Sequence, residues 1–222
     1  MTDTPIRDAA TVIVLRDIAG VRHVLMGQRG AKAAFMPSKF VFPGGAVDAA
    51  DRDVALAAPM PEPCVTRLRA DCDGDVGHAL AVAAIRELWE ETGLALGALG
   101  TWPDAPADWG AFAARGLRPD AGALRFVFRA ITPPGRPRRF DARFLMVDAA
   151  AIHGDLDDFS AASDELSHLQ WVALAEARAL DLPFITEVVL AELAQAEPGV
   201  PPASVPFFKN NDEESLFLRL HG

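Results

Sequence analysis

Residues 86–94 read Arg-Glu-Leu-Trp-Glu-Glu-Thr-Gly-Leu, and this stretch carries the strongest structural and functional signal in the chain. In a helix, Glu87, Glu90 and Glu91 stand at positions i, i+3 and i+4, so three carboxylates project from one face. Two carboxylates about 6 Å apart repel by roughly 3 kcal/mol at an effective dielectric of about 20, so a partly buried trio needs a counter-charge. The stretch therefore predicts a helix that binds a hard divalent cation, Mg²⁺ or Mn²⁺, through oxygen ligands.

The alternative is a solvated helix face, on which each like-charge pair costs only about 0.2–0.5 kcal/mol and Arg86 offsets part of that cost through Glu90. The flanking sequence favours an anchored helix with a fixed acidic side. Gly93 stands where a left-handed residue would end the helix. Four apolar residues recur at helical spacing and predict a buried face: Ala81, Ala84, Ile85 and Leu88.

Upstream, residues 40–48 read Phe-Val-Phe-Pro-Gly-Gly-Ala-Val-Asp, a short apolar segment that leads into a predicted tight turn. The paired glycines Gly44 and Gly45 permit positive φ and a close backbone approach to a ligand, with a carbonyl free to face a metal. By itself Pro-Gly-Gly predicts only a turn, so its meaning depends on the acidic helix downstream.

Together, the glycine turn and the acidic helix resemble the signature of the Nudix hydrolases. That signature is Gly, five residues, Glu, seven residues, then Arg-Glu-U-x-Glu-Glu-x-Gly-U, where U is aliphatic. Its second half matches residues 86–94 at every specified position. The first half departs from it, because Asp51 stands where the family has Glu and residues 52–85, 34 in all, separate it from Arg86. The displacement leaves Asp51 without an assigned role.

This departure resembles one branch of the family, the acyl-coenzyme A diphosphatases typified by the eukaryotic peroxisomal enzyme. That branch carries a long insertion between a Phe-Pro-Gly-Gly-x-x-Asp turn and the catalytic helix. Two further runs match it, Phe-Met-Pro-Ser at residues 35–38 and Arg-Phe-Asp-x-Arg-Phe at residues 139–144. The resemblance covers about residues 11 to 195.

The resemblance implies an α+β Nudix fold, an α/β/α sandwich around a mixed β-sheet, with an insertion before the catalytic helix. We expect one domain over residues 1–222, with an insertion loop at 52–78 that holds about one helical turn and a C-terminal tail at 198–222. Patterning predicts paired strands at 11–15 and 23–29, further strands at 124–131 and 142–147, a short helix at 107–116 and an amphipathic helix at 183–196.

Glu87, Glu90 and Glu91 are the expected ligands of Mg²⁺ or Mn²⁺, and the carbonyl of Gly45 is an additional one. The resemblance implies that Arg86 orients a glutamate of the helix.

The catalytic base stays open between Glu91 and Glu165. In several family members a glutamate precedes a Trp-Val strand, and Glu165 precedes the Trp-Val pair at 171–172. The alternative for Glu165 is an exposed loop acid.

Substrate contacts are expected from Arg29, Gly44 and Arg139. Arg29 ends a strand before the glycine turn, and Arg139 ends a proline-rich stretch at 133–139 that also contains Arg138. A guanidinium pairs well with phosphate oxygens. The alternative for the proline-rich stretch is a solvated hairpin tip.

The composition of the chain limits the classes of partner that it is expected to bind. The 222 residues carry a net charge of −10, which disfavours binding to nucleic acid or to an anionic membrane surface. The sequence has no apolar run of membrane-spanning length and no secretory pattern at its start, so a cytoplasmic location is expected. The expected partner is a small-molecule nucleotide, and a homodimer is left open.

Three functions follow from the resemblance. The first is hydrolysis of coenzyme A or acyl-coenzyme A to adenosine 3′,5′-bisphosphate and (acyl-)phosphopantetheine. The second is an ADP-ribose or NADH diphosphatase. The third, of another class, is a non-catalytic Nudix-fold module that binds a nucleotide.

Overall fold

The computed structural model describes residues 4–72, 74–197, 199–211 and 214–221. Asp73 of the insertion and Pro198 at the start of the expected tail lie outside these described residues. No helix in the described ranges has both the length and the apolar character needed to cross a membrane.

The described residues form twelve strands and four α-helices, with short 3₁₀ turns at Ala49–Arg52, Ala107–Trp109, Ala149–Ala151 and Ala177–Ala179. The helices are α1 Cys64–Leu68, α2 Gly77–Thr92, α3 Gly110–Ala113 and α4 Phe184–Leu193. The strands are β1 Ile6–Ile18, β2 Val21–Arg29, β3 Phe40–Val41, β4 Gly44–Ala46, β5 Ala95–Leu99, β6 Leu117–Pro119, β7 Arg125–Ile131, β8 Arg139–Asp148, β9 Ile152–His153, β10 Leu166–Ala173, β11 Val205–Asn210 and β12 Ser215–Leu220.

The main sheet runs in the order β10-β2-β1-β8-β7-β11-β12, and β3 and β4 are added beside β2 and β1. The pairs β1/β8 and β7/β11 are parallel, and the other pairs are antiparallel, so the sheet is mixed as expected. A second, small sheet has the order β6-β5-β9. β2 pairs with the C-terminal half of β1, whereas β4 pairs with residues 9–11 of its N-terminal half. This arrangement places the two glycines of β4 against the first part of β1.

Successive side chains of β1 enter two different cores, because side chains alternate between the faces of a strand. Val12 and Val14 pack in the core that contains α2, whereas Ile13 and Leu15 pack in the core that contains α4. Each fully buried aliphatic side chain of this kind contributes about 1.5–3 kcal/mol. Helices therefore cover both faces of the mixed sheet, and the expected α/β/α sandwich is confirmed.

Helix α2 is held by its alanine-rich apolar side. Its residues from Ala79 to Ile85 are all buried, and Leu88 continues the buried stripe one turn later. Gly93 follows with φ of +75°, and its N–H donates to the carbonyl of Trp89 at 2.8 Å. The left-handed end predicted for this helix is therefore present, and the acidic side of α2 has a fixed direction.

The insertion at residues 52–78 is more than the loop expected from its composition. It contains the single short helix α1, as expected, but four of its apolar side chains lie in the same core as α2: Val54, Met60, Leu68 and Val76. Arg129 also donates to the carbonyls of Ala70 and Asp71 at 2.8 and 2.9 Å. The insertion is therefore part of the packed interior, although its proline and acidic residues predicted a loop.

Candidate active site

The acidic face of α2 lies against the two glycines of β4. The N–H of Gly44 donates to Glu91 Oε2 at 2.7 Å. A Cβ placed on Gly45 would lie 2.3 Å from Glu87 Oε1, so only glycine leaves room for that carboxylate. The predicted tight turn at this point is wrong, because both glycines belong to a strand that pairs with Thr11 and Ala10 of β1. Gly44 nevertheless has a positive φ of +153°. The close backbone approach expected here is therefore made by a strand, toward carboxylates of the same chain.

Arg86 lies between the helix and the 3₁₀ turn at Ala49–Arg52. Its Nε and Nη2 donate to the two carboxylate oxygens of Asp51 at 2.9 and 3.1 Å. Its Nη1 donates to Glu87 Oε1 at 2.8 Å and to Glu90 Oε2 at 3.1 Å. A further bond from Nη2 reaches the carbonyl of Ala46 at 3.1 Å. Arg86 thus orients two of the three helix glutamates.

Asp51 is the site residue that sequence reasoning left without a role. Its side chain is buried, with 2% exposed, and it also accepts a hydrogen bond from the N–H of Asp48 at 2.8 Å. The insertion begins after the 3₁₀ turn that contains Asp51 and ends at α2, and the ion pair shows that its 34 residues do not separate Asp51 from Arg86 in space. One feature of the sequence could have indicated this pairing: Asp51 follows Gly45 after five residues, the spacing that the family signature has between its Gly and its Glu.

Burial dominates the electrostatics of the helix glutamates. It raises the pKa of Glu91 to about 8, against the hydrogen bond from Gly44, and it raises the pKa of Glu87 to about 7, against the nearby Arg86 charge. Burial likewise raises the pKa of Glu90. The physical cause is that a carboxylate removed from water loses solvation that one shared guanidinium restores only in part. The face therefore carries an excess of buried acid.

Arg86 shows the opposite balance. Burial lowers its pKa, but the hydrogen bond to Asp51 and the charges of Glu87, Asp51 and Glu90 outweigh burial, so the pKa of Arg86 lies above its usual value. The guanidinium stays charged under all ordinary conditions. This one guanidinium is thus shared among the carboxyl groups of Asp51, Glu87 and Glu90.

Two other predicted site residues lie near this face. Burial is the main cause of the raised pKa values of Glu87, Glu90 and Glu91, and the charge of the exposed Glu165 adds a smaller increase to each. Arg29, the last residue of β2, has the opposite effect and lowers the pKa of Glu91. The structure therefore gathers the predicted acids and one predicted arginine around one region.

The solved structure of a NUDIX hydrolase from Alicyclobacillus acidocaldarius is similar to this chain, with a TM-score of 0.64 and 32% sequence identity. The similarity covers 85% of this chain and 90% of that one. The chain belongs to the Nudix hydrolases. Nudix hydrolase 7 of Caenorhabditis elegans is 28% identical over 179 residues, which cover 75% of this chain and 51% of the relative. The chain thus spans about half the length of this curated relative. No family model matches the chain.

Arg139 is not in the exposed loop to which the sequence assigned it. It is the first residue of β8, its side chain is 5% exposed, and its Nε donates to the carbonyl of Thr132 at 3.1 Å. In the register with β1 it stands opposite Ile6, whereas the β4 glycine Gly45 stands opposite Ala10, four residues further along. The proline-rich stretch places this guanidinium in the sheet, away from the acidic face of the Nudix helix.

Nudix hydrolases generally use divalent metals such as Mg²⁺ or Mn²⁺. In this conformation the described residues hold no group of three or more His, Cys, Asp or Glu arranged to hold such an ion, because Glu87 and Glu90 face Arg86 while Glu91 faces Gly44. The donor set itself fits a hard cation, since it consists of carboxylate oxygens on one partly buried helix face, where Arg86 is shared among three carboxyl groups. Glu87, Glu90 and Glu91 are the residues that would hold it.

Proposed function

We propose that this Nudix hydrolase cleaves the diphosphate linkage of coenzyme A or acyl-coenzyme A to give adenosine 3′,5′-bisphosphate and (acyl-)phosphopantetheine. The observation that carries the reaction type is the partly buried acidic face of α2, where Glu91 is held by the N–H of Gly44 and Glu87 fits only because residue 45 is glycine. Hydrolysis of a phosphoanhydride needs charge neutralised on the phosphoryl oxygens, a positioned water and a proton acceptor.

Each requirement has a candidate group. A bound divalent cation would neutralise the phosphoryl oxygens and lower the pKa of a water ligand. Arg86 holds the carboxylates of Glu87 and Glu90 in place through Nη1. Glu91 or Glu165 accepts the proton of the attacking water.

The coenzyme A assignment is supported by the two runs that resemble the acyl-coenzyme A diphosphatases. Phe35, from the Phe-Met-Pro-Ser run, packs edge-on against Phe140, from the Arg-Phe-Asp run, with ring centroids 5.3 Å apart. The two matching runs therefore meet in space, although about a hundred residues separate them along the chain. Arg29 supplies a guanidinium next to Glu91, where it would meet a substrate phosphate.

The test is a substrate panel. The purified chain is incubated with Mg²⁺ and one substrate at a time: coenzyme A, acetyl-coenzyme A, ADP-ribose or NADH. The products of each reaction are identified by mass spectrometry. The proposal expects adenosine 3′,5′-bisphosphate from the first two. Cleavage of ADP-ribose or NADH without cleavage of coenzyme A would make the chain a dinucleotide-type diphosphatase instead. Nucleotide binding without any cleavage would favour the non-catalytic module.

A further inference from the structure

Glu165 is the last residue of a connection between β9 and β10, which we call the Glu165 loop and define as residues 155–165. Glu165 is exposed, as are Ser163 and Asp164 before it, and its charge contributes to the raised pKa of Glu87 on α2. An exposed connection of this kind holds a side chain in one place only if its backbone is attached elsewhere.

One attachment joins the loop directly to α2. The N–H of Ser163, two residues before Glu165, donates to the carbonyl of Glu90 at 2.8 Å. Ala161 packs over Gly93 so closely that a Cβ on Gly93 would lie 3.0 Å from the Ala161 Cβ. The Glu165 loop thus rests on the C-terminal end of the helix that carries the acidic face.

A second attachment follows immediately after Glu165. Leu166 begins β10 and is buried, and a Cβ on Gly27 of β2 would lie 3.0 Å from the Leu166 Cβ. This contact fixes the C-terminal end of the loop against the sheet. The N-terminal end of the loop needs a holding point of its own.

That holding point consists of Arg16 on β1 and Trp171 on β10. Trp171 Nε1 donates to the carbonyl of Leu156 at 2.9 Å. Arg16 donates from Nη1 and Nη2 to the two carboxylate oxygens of Asp157 at 2.6 and 3.1 Å. The Arg16 guanidinium also lies over the Trp171 ring, 5.3 Å from its centroid. The two side chains therefore support each other and grip two successive residues of the Glu165 loop.

We propose that Arg16 and Trp171 are positioning residues for Glu165: they clamp the start of the Glu165 loop, so that Ser163 stays bonded to Glu90 and the Glu165 carboxylate stays beside the acidic face of α2. This inference rests on the proposed function, because it gives Glu165 a part in the hydrolysis. Both positioning residues lie on paired strand segments, Arg16 opposite His23 and Trp171 opposite Leu25, which suits them to hold a loop in place.

The contacts of Arg16 and Trp171 with the Glu165 loop are individually weak, so we expect each substitution to cause a partial loss of activity. Asp157 is 63% exposed, and an exposed ion pair contributes little by itself. The Trp171 bond is a single neutral hydrogen bond, whose loss changes an equilibrium by about five-fold. Loosening the clamp should therefore lower the fraction of molecules with Glu165 in place while the fold remains intact.

The kinetic test uses Arg16→Gln and Trp171→Phe, alone and combined with Glu165→Gln. Each clamp variant is expected to lower kcat by up to about five-fold while leaving KM within about two-fold. In the Glu165→Gln background the same changes should cost nothing further, because residues that act through one group are not additive. Equal losses in both backgrounds would overturn the proposal. So would full activity of Glu165→Gln, while the proposed function would stand.

A matched control is Arg69→Gln. Arg69 makes a similar exposed ion pair with Asp75, at 2.7 Å, but lies on the insertion and touches no part of the Glu165 loop in the contacts described. Its kcat and KM are expected to match those of the unaltered chain.

A second readout does not require turnover. Amide hydrogen exchange of Ser163 reports the bond to the Glu90 carbonyl directly, and it should speed up about five-fold in Arg16→Gln and Trp171→Phe while exchange in α2 is unchanged. Unchanged Ser163 exchange in both variants would overturn the clamp. If the unaltered chain cleaves no substrate on the panel, the proposed function is wrong, and Ser163 exchange still decides whether Arg16 and Trp171 hold the loop.

Discussion

Asp51 and Arg86, 35 positions apart in the chain, form a two-pronged ion pair with N–O distances of 2.9 and 3.1 Å. The pair closes the long insertion at its base and fixes the guanidinium that in turn holds Glu87 and Glu90. A geometry of this kind gives direction as well as attraction, because the planar fork of arginine matches the two oxygens of a carboxylate.

Replacing Asp51 by Asn should therefore destabilise the fold. We expect the free energy of unfolding to fall by about 2 kcal/mol, since a charged hydrogen-bonding partner is lost at a buried position. Urea denaturation measures this loss. Asp48→Asn is the matched control, because Asp48 is 61% exposed and lies 3.8 Å from Arg86, so its loss should cost less than about 0.5 kcal/mol. Equal losses in both variants would contradict the structural role of Asp51.

The two β4 glycines should respond differently to alanine. At Gly45 the new Cβ would meet only the end of the flexible Glu87 side chain, so the fold should survive while Mg²⁺ affinity falls about ten-fold or more. At Gly44 the Cβ would lie 2.4 Å from the backbone oxygen of Ala10, so stability should fall instead. Isothermal titration with Mg²⁺ and thermal melting separate the two effects. Gly110→Ala, with open space around its Cβ, is the neutral control.

The metal-free chain should lose stability as the pH rises. The pKa of Glu91 is about 8 in the fold, above the 4.5 of the free side chain, so the folded state binds the proton more tightly than the unfolded state. The contribution is fully present below pH 4.5 and is lost as the pH passes through about 8. Melting curves in EDTA between pH 5 and 9 test this. The melting temperature should fall less steeply with pH in Glu91→Gln, and also in the unaltered chain with saturating Mg²⁺. Equal slopes for the unaltered chain and Glu91→Gln in EDTA would refute the raised pKa of Glu91.

Glu90→Gln separates an enzyme from a binding module. Under the proposed function this isosteric change removes a ligand charge and should lower kcat by at least about a hundred-fold, with the fold retained. Nucleotide affinity, measured by titration, should change much less. If the unaltered chain binds nucleotide as tightly as Glu90→Gln and neither turns it over, the non-catalytic module is the better description.

Two arginines expected at the substrate should behave differently. Arg29→Ala should raise KM for the substrate, because the charge of Arg29 acts on Glu91 of the acidic face. Arg139→Ala should leave KM unchanged and lower the melting temperature, because Arg139 is buried. Steady-state kinetics and melting on both variants measure this. A raised KM in Arg139→Ala at unchanged stability would restore the substrate contact expected from the sequence.

Features that depend on residues close together in the chain could be predicted from the sequence. Periodicity of apolar residues placed the buried side of α2, and Gly93 marked its end, because both depend on contacts within a few residues. The pairing of the first two strands and the mixed, helix-covered sheet followed from the same patterning and from the family resemblance. The catalytic and metal-binding roles of the predicted residues stay predictions.

What the sequence missed depends on partners far along the chain. The Gly-Gly pair forms a strand instead of a turn because β1 offers it hydrogen-bonding partners, which local propensity does not reveal. Arg139 joins β8 because that strand pairs with β1 back to Ile6, three residues before the predicted start of the strand. Asp51 had no assigned partner because 34 residues of unfamiliar sequence intervene before Arg86.

The insertion has one more consequence. Val54, Met60 and Leu68 pack in the same core as α2, and His78 Nε2 lies 2.8 Å from the carbonyl of Val54, so the start of the insertion is also bonded to the first turn of α2. Cutting the chain back to the seven-residue spacing of the family would therefore remove a wall of the hydrophobic interior instead of trimming a surface loop. In this protein, the residues inserted between the two halves of the signature belong to the hydrophobic core, so they are subject to the same packing constraints as the sheet.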